Sequence, residues 1–274
     1  MKGFDGRVVA ITGAGSGIGR ALAVDLARRG ALVAVSDISP DGLAETVDLV
    51  KAAAVREVRS DVVDVASAEA LEAWASDVVG QLGRVNVLVN NAGVSLTGEF
   101  ADLESTDMEW IVGINFWGVV NGTKAFLPHL IASGEGHVVT MSSLFGLVSI
   151  PGQSMYNATK YAVRGFSESL REELLMAGHP VGVTVVHPGG IKTAIARSAR
   201  VSAREDKESF ARMFDERLAR MEPERAAEII LRGVLKGKPR VLVGLDAHLL
   251  HQFARLAGAR YQDVVARRAS RMRR

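Results

Sequence analysis

The sequence predicts an α/β fold, in which a doubly wound parallel β-sheet is covered by helices on both faces. Short runs of β-branched residues alternate with segments of helical periodicity along most of the chain. The strand runs lack polar alternation, which indicates burial on both faces, as in a parallel sheet. A glycine-rich stretch, TGAGSGIG at 12–19, joins the first strand run to the first helical segment. This order is typical of a doubly wound sheet.

The predicted elements follow one another in strand–helix order, beginning with the strand RVVAIT at 7–12. Further strands are predicted at 31–37, 55–62, 86–93, 137–143, 181–189 and 240–244. Helices are predicted at 18–29, 41–53, 67–80, 103–132, 155–177 and 224–236. No repeat or linker interrupts the series. We therefore expect one domain over 1–245, with a helical insertion at about 194–225 and a C-terminal extension over 246–274.

The composition is that of an ordinary globular protein, with 274 residues, 48% hydrophobic and 23% charged. The absence of cysteine excludes disulfides and thiolate chemistry. The first strand run begins near Val8, and no run of eighteen apolar residues follows, so we expect neither a signal peptide nor a membrane-spanning helix. These features predict a cytoplasmic protein.

The net charge of +2 is unevenly distributed. Residues 251–274 hold seven arginines and one aspartate, a net charge of +6, which leaves −4 for the first 250 residues. The basic character therefore belongs to the extension. Its arginines are not interleaved with several aromatic residues, so we do not expect nucleic-acid binding.

The glycine-rich stretch has the context of a phosphate-binding turn. Glycines allow positive φ angles and close approach of the backbone, and the following helix offers free N–H groups to a pyrophosphate. The candidates are Gly13, Gly15, Ser16, Gly17, Ile18 and Gly19. A tight turn with no ligand is the alternative. The position at the start of a βαβ unit favours a Rossmann-like dinucleotide site.

Asp37 ends the second predicted strand, 18 residues after Gly19. A carboxylate there can accept both hydroxyls of an adenosine ribose and would repel a 2′-phosphate. No lysine or arginine in the glycine turn or directly after Asp37 offsets this repulsion. The pattern favours NAD over NADP, with a helix N-cap as the alternative role of Asp37.

Tyr156 and Lys160 lie one helical turn apart in the stretch YNATK, so both can share one environment. A free phenol has a pKa of about 10 and is almost wholly neutral at pH 7. An adjacent ammonium favours the phenolate and would lower that pKa. The spacing predicts a proton-transferring phenol beside a cation, and the alternative is a core aromatic beside a snorkelling lysine.

The chain resembles the classical short-chain dehydrogenases/reductases. The glycine turn matches the pattern TGxxxGxG, and Tyr156 to Lys160 matches YxxxK, with Ser143 at the usual distance before Tyr156. Further matches are the Asp-Val pair Asp61 and Val62, the segment Asn90, Asn91, Ala92 and Gly93, the helix asparagine Asn115, and the PGxxxT segment with Pro188, Gly189, Ile191 and Thr193. Seven motifs in order cover about residues 5 to 193.

The resemblance implies an NAD-dependent oxidoreductase that interconverts a secondary alcohol and a ketone. Tyr156 would act as general acid and base, Lys160 would lower its pKa and bind ribose, Ser143 would orient the substrate oxygen, and Asn115 would hold a relay water. Asp61, Val62, Asn91, Ala92, Gly93, Pro188, Gly189, Ile191 and Thr193 would join the glycine turn and Asp37 around NAD. It also implies a homotetramer or homodimer built on helices 103–132 and 155–177.

Two rival functions remain open from the sequence. One is a reductase of 3-oxoacyl thioesters that uses NADP, which Asp37 disfavours. The other is a non-catalytic regulator that senses NADH, which would have no need of Ser143, Tyr156 and Lys160 together. No metal is expected, because His248 and His251 lack a completing carboxylate or cysteine.

The insertion and the extension follow no family pattern. The insertion contains Phe210, Met213, Phe214 and Leu218, which suits either a lid over an apolar small-molecule substrate or a solvated helix pair. The extension mixes apolar residues with arginines, as a basic amphipathic helix does. We rank its roles as subunit contact, solvated helix and membrane contact.

Overall fold

The computed structural model describes residues 2–54 and 58–272. Its strands are β1 (Val8–Thr12), β2 (Leu32–Asp37), β3 (Val58–Val62), β4 (Val87–Asn90), β5 (Leu96–Thr97), β6 (Gly136–Met141), β7 (Val181–Pro188), β8 (Arg200–Val201) and β9 (Arg240–Val243). Its helices are α1 (Gly17–Arg28), α2 (Pro40–Ala53), α3 (Ala68–Leu82), α4 (Ser105–Val112), α5 (Gly118–Ala132), α6 (Ser154–Met176), α7 (Lys207–Met213), α8 (Pro223–Leu235), α9 (Leu245–Ala257) and α10 (Tyr261–Met272). The start of the strand predicted over 55–62 lies outside the described residues.

The central sheet is parallel, with the strand order β3-β2-β1-β4-β6-β7-β9. The chain starts in the middle of the sheet, builds outward to β3, returns to β4 beside β1, and continues to the other edge. The strand order therefore reverses between β1 and β4, where open α/β sheets bind ligands at the carboxyl ends of their strands. The predicted doubly wound, Rossmann-like sheet is confirmed.

Strand β1 shows why the strand runs lack polar alternation. Val9 and Ile11 pack in one hydrophobic layer with α1 and α8, and Val8 and Ala10 pack in the opposite layer with α3 and α5. Successive strand residues point to opposite faces. Because helices cover both faces, every residue of β1 is buried.

The predicted helix 103–132 is interrupted. A π-helical turn, Gly113–Trp117, separates α4 from α5 and carries the buried Asn115 at its centre. Apolar periodicity alone does not reveal one widened turn, since the flanking helices keep their repeat. Such turns are frequent at functional sites.

A short two-stranded sheet ties the insertion to the loop after β4. Strand β8 of the insertion pairs in parallel with β5. The Arg200 guanidinium lies 4.0 Å from the centroid of the Trp110 ring and 2.7 Å from Asp107. The sequence did not predict these strands, because a two-residue strand has no periodicity.

The C-terminal extension folds into α9 and α10, joined by the 3₁₀ turn Gly258–Arg260. Asp246 accepts a hydrogen bond from the backbone N–H of Gly190 at 2.7 Å. The Tyr261 hydroxyl accepts one from the N–H of Ser149 at 3.0 Å. Within the described ranges, no helix is both long and apolar enough to cross a membrane.

Candidate active site

The glycine turn after β1 brings the N-terminus of α1 close to the sheet. Gly13 and Gly17 have φ angles of +65° and +54°, which favour glycine. A Cβ atom on Gly19 would lie 2.3 Å from the carbonyl oxygen of Gly13. The Ser16 side chain makes no capping hydrogen bond, so it leaves the first N–H groups of α1 to other partners. The turn can therefore hold a phosphate group.

Asp37 presents a carboxylate of fixed orientation beside this turn. It accepts hydrogen bonds from the N–H of Gly15 at 2.8 Å and from the N–H of Ser39 at 3.0 Å. Asp37 lines the cavity, whereas Gly15 supports it from behind. A side chain at Gly15 would meet the Asp37 carboxylate at 2.8 Å, which explains the glycine there.

Asp61 and Val62 are not among the residues that line the cavity, so their contact with the adenine ring stays a prediction. The Asp61 carboxylate accepts hydrogen bonds from Arg59 at 2.7 Å and from the Trp74 indole of α3 at 3.0 Å. The neighbouring residues Val63, Asp64 and Val65 line the cavity. The sequence DVVDV contains two Asp-Val pairs, and the second of them, Asp64 and Val65, lies in the cavity wall.

Hydrogen bonds connect the segment after β4 to the end of β1. The Asn91 amide donates hydrogen bonds to the carbonyl oxygens of Thr12 at 3.0 Å and Gly13 at 2.9 Å. The Thr12 hydroxyl accepts hydrogen bonds from the N–H groups of Asn91 and Ala92, both at 3.1 Å. These bonds hold Asn91, Ala92 and Gly93 in the cavity wall, next to the glycine turn.

Ser143 and Tyr156 meet at the centre of the cavity. Ser143 follows β6 directly, and Tyr156 lies in the first turn of α6. The Ser143 hydroxyl hydrogen-bonds the phenol oxygen of Tyr156, an interaction that lowers the pKa of Tyr156. Burial outweighs it and raises that pKa. The lowering expected from Lys160 together with a bound nicotinamide cation stays a prediction.

Lys160 brings a buried cation into the same site. Its side chain is 3% exposed, and its Nζ atom lies 5.6 Å from the centroid of the Tyr156 ring. Nζ donates a hydrogen bond to the carbonyl oxygen of Met141 at 3.1 Å. Burial lowers the pKa of Lys160 to about 8, so the ammonium form still predominates at pH 7.

Asn115 links the loop after β4 to α6. Its amide oxygen accepts a hydrogen bond from the N–H of Val94 at 2.8 Å. Its amide nitrogen donates to the Val94 carbonyl oxygen at 3.0 Å and to the Thr159 hydroxyl at 3.2 Å. These contacts hold the first turns of α6 against the cavity wall, and the role of Asn115 in holding a water stays a prediction.

The segment after β7 closes the cavity beside the glycine turn. Pro188, Gly189, Ile191 and Thr193 all line it. A Cβ atom on Gly17 would lie 3.0 Å from the Thr193 methyl group, so the two segments touch.

Residues that the motifs do not mark form the rest of the cavity, which has a volume of about 440 Å³. They are mostly apolar and come from the loops after β4 and β6 and from the insertion: Val94, Ser95, Phe145, Ile150, Gln153, Ile195, Phe210, Met213, Phe214 and Leu218. The apolar content of the insertion was the one available signal. Only the fold places the insertion in the wall of the cavity that contains Tyr156.

His187 is a further residue that the motifs miss. It is fully buried in β7, and its Nδ1–H donates a hydrogen bond to the carbonyl oxygen of Ser143 at 2.8 Å. The same oxygen accepts the N–H of Gly146 at 2.9 Å. Both bonds fix the backbone that carries the Ser143 hydroxyl. Burial lowers the pKa of His187 to about 4, so the ring is neutral at pH 7.

One cavity therefore runs from the glycine turn and Asp37 to Tyr156 and Lys160. The glycines of the turn leave space for a pyrophosphate to approach the backbone, and the partial positive charge at the N-terminus of α1 favours the negative charge of that group. These residues fit a nicotinamide dinucleotide.

Comparisons with known proteins agree with this geometry. The family model for short chain dehydrogenases matches residues 7–204. A Mycobacterium tuberculosis protein described as an oxidoreductase, SadH, is 56% identical over 266 residues, which cover 97% of this chain and 96% of that protein.

Solved structures show the same likeness. A short-chain dehydrogenase/reductase from Burkholderia phymatum in complex with NAD has a TM-score of 0.87 and 29% identity, covering 96% of this chain and 97% of that one. An alcohol dehydrogenase from Thermococcus sibiricus, complexed with 5-hydroxy-NADP, has a TM-score of 0.72 and 28% identity, covering 87% and 94%. The chain therefore belongs to the short-chain dehydrogenase family of oxidoreductases.

Proposed function

We propose that the protein is an NAD-dependent oxidoreductase that interconverts an apolar secondary alcohol and its ketone. The observation that carries this proposal is the meeting of Ser143, Tyr156 and Lys160 in a cavity continuous with the glycine turn. A binding protein for dinucleotides would not need a buried phenol, hydroxyl and ammonium at the same point.

Tyr156 moves the proton of the reacting oxygen. Burial keeps its phenol protonated, which suits proton donation to a ketone oxygen. The reverse reaction needs the phenolate, which the buried Lys160 ammonium stabilises. The bound nicotinamide supplies the carbon that accepts or donates the hydride and, in its oxidised form, one further positive charge. Ser143 holds the substrate oxygen by a hydrogen bond.

Lys160 and Asn115 serve Tyr156 and the cofactor. Lys160 lies near Gly93, whose added Cβ would be 3.2 Å from Nζ, so the ammonium faces the loop expected to carry the nicotinamide ribose. Asn115 positions the neighbouring Val94 and, by our proposal, holds a water that connects Lys160 with solvent.

The preference for NAD rests on Asp37. The Asp37 carboxylate is anchored by two backbone N–H groups and lines the cavity, where it would repel a 2′-phosphate. Arg20, which directly follows the glycine turn, offers no compensating charge. Its guanidinium is bonded to Glu45 at 2.7 Å and to the carbonyl oxygens of Gly15 and Gly42.

The substrate is proposed to be neutral and apolar. Among the described residues, the charged ones that line the cavity are Asp37, Asp64 and Lys160, and no charged lining residue comes from the insertion or from the loop after β6. Phe145, Ile150 and the apolar residues of the insertion line the same cavity as Tyr156, so a charged substrate group beside them would lose its hydration without a partner.

The first test is titration of the protein with NADH and NADPH, followed by tryptophan quenching or calorimetry. We expect NADH to bind more tightly. Asp37→Ala with Ile38→Arg should reverse the preference, because Ile38 lines the cavity beside Asp37 and is 67% exposed. Asp64→Ala is the matched control for losing a cavity carboxylate. Tighter NADPH binding would instead favour the thioester reductase.

The chemistry is tested with secondary alcohols and NAD. Tyr156→Phe should lower kcat at least about hundredfold, the usual contribution of a general acid–base group. Tyr161→Phe, on the same helix but outside the cavity, is the control. Biological function that survives Tyr156→Phe would favour the NADH-sensing regulator. Assembly as a homodimer or homotetramer stays a prediction.

A further inference from the structure

Helix α9 turns its large apolar side chains toward solvent. Leu245, Leu249, Phe253 and Leu256 recur at intervals of three or four residues and therefore share one face. Leu245, Leu249 and Leu256 are 72%, 61% and 88% exposed. The buried face carries small residues, Ala247, Ala254 and Ala257. A solvated helix has the opposite arrangement, so this leucine stripe indicates a contact surface.

The direction of the leucine stripe is set by the fold. Asp246 ties the start of α9 to Gly190, and Tyr261 ties the start of α10 to Ser149. The small face of α9 packs with Tyr261 against Leu144, Leu147 and Val148. The extension is thus bound to two loops of the cavity wall, and the stripe faces outward as a consequence.

The same extension carries an excess of positive charge. Its exposed arginines are Arg255, Arg260, Arg267 and Arg268, against Asp246 and Asp263. Over residues 251–274 the net charge is +6, while the first 250 residues carry −4. Apolar side chains beside arginines suit the surface of an anionic lipid bilayer, where apolar acyl chains lie beneath negatively charged headgroups.

We propose that the leucine stripe and the neighbouring arginines dock this protein on an anionic phospholipid bilayer. The leucines enter the acyl boundary, and the arginines bind lipid phosphates. A second copy fits less well. A helix of 13 residues is about 20 Å long and about 10 Å wide, so its face offers about 200 Å². A stable dimer buries about 800 Å² per partner. A two-fold contact would also bring two basic extensions together.

The test is sedimentation of the full chain with vesicles. One set contains phosphatidylcholine alone, and the other contains about 30% phosphatidylglycerol as well. We expect binding to the anionic vesicles only. Raising the salt from about 0.1 M to about 1 M, which shortens the Debye length from about 10 Å to about 3 Å, should weaken it.

The stripe is tested with a matched pair of double variants. Leu249→Ser with Leu256→Ser should lower the affinity for anionic vesicles at least about tenfold. Leu175→Ser with Met176→Ser should leave it unchanged. The exposures match, because Leu175 and Met176 are 61% and 89% exposed at the end of α6. Arg267→Gln with Arg268→Gln should also weaken binding, and thermal unfolding confirms that each variant folds.

Three results would overturn the proposal. The first is equal binding to neutral and anionic vesicles or to neither. The second is unchanged binding of the Leu249→Ser, Leu256→Ser variant to anionic vesicles. The arginines alone would then be sufficient for vesicle binding. The third is a protein that does not bind vesicles but forms a dimer in light scattering, and whose dimer dissociates when Leu249 and Leu256 are replaced by serine. A second copy of the chain would then cover the leucine stripe. Each result is independent of cofactor binding and of catalysis.

Discussion

Replacing Lys160 by methionine should stabilise the protein while it abolishes catalysis. Burial lowers the pKa of Lys160 from 10.5 to about 8, so holding the ammonium in the fold costs about 3 kcal/mol below pH 8. Methionine has a similar volume and no charge. The substitution removes the hydrogen bond to the Met141 carbonyl, a loss of about 1.5 kcal/mol. The net gain at pH 7 is about 2 kcal/mol.

The pH dependence identifies the cause. Unfolded Lys160 keeps its proton up to about pH 10.5, whereas the folded protein releases it above about pH 8. The unfolded state therefore binds more protons in this window, and wild-type stability rises with pH, by about 2 kcal/mol between pH 7 and pH 10. Lys160→Met lacks this increase, so its advantage should vanish at pH 10.

Urea unfolding followed by tryptophan fluorescence measures both effects. At pH 7, Lys160→Met should have a higher midpoint with an unchanged slope. A gain of about 2 kcal/mol corresponds to about 4 °C in Tm for a chain of this size. Lys124→Met, on the exposed face of α5, is the control and should change stability by less than about 0.5 kcal/mol. A variant less stable than wild type at pH 7, or a difference independent of pH, would refute the reasoning.

Two predictions concern the buried histidines. Burial lowers the pKa values of His137 and His187 to about 4, below the unfolded value of 6.5, so the unfolded state binds more protons between these limits. Unfolding titrations should show stability falling by about 1 to 2 kcal/mol per histidine from pH 6.5 to pH 5. His137→Gln, which can keep the hydrogen bond to Thr184, should remove about half of this fall, and an unchanged fall would contradict the assignment. For catalysis, His187→Leu should lower kcat about tenfold or more with little change in KM, because Ser143 loses its backbone anchor. His187→Asn should keep most of the wild-type kcat, since the asparagine amide can replace Nδ1–H as the donor to the Ser143 carbonyl oxygen. His137→Leu is the matched buried control, and full activity of folded His187→Leu would exclude the positioning role.

Local patterns were sufficient for the architecture and for the centre of the site. Strand and helix periodicity acts over a few residues, so the element order could be predicted without knowing any contact. Spacing along one segment and its neighbouring strand marked the glycine turn, Asp37, Tyr156 and Lys160 as candidates, and the family resemblance added Ser143. The structure brings them to one cavity, and their roles stay predictions.

The tertiary structure decided everything that depends on residues distant in sequence. Arg59 and Trp74 bind the Asp61 carboxylate, and no local sequence pattern reports those contacts. The burial that raises the pKa of Tyr156 is likewise a property of the whole fold.

The C-terminal extension shows this division most clearly. Its sequence determined a basic amphipathic helix by periodicity alone. Which face is buried was decided by Asp246 and Tyr261, which bind loops far away along the chain. Periodicity specifies that a helix has an apolar face, but only packing against the rest of the molecule determines where that face points.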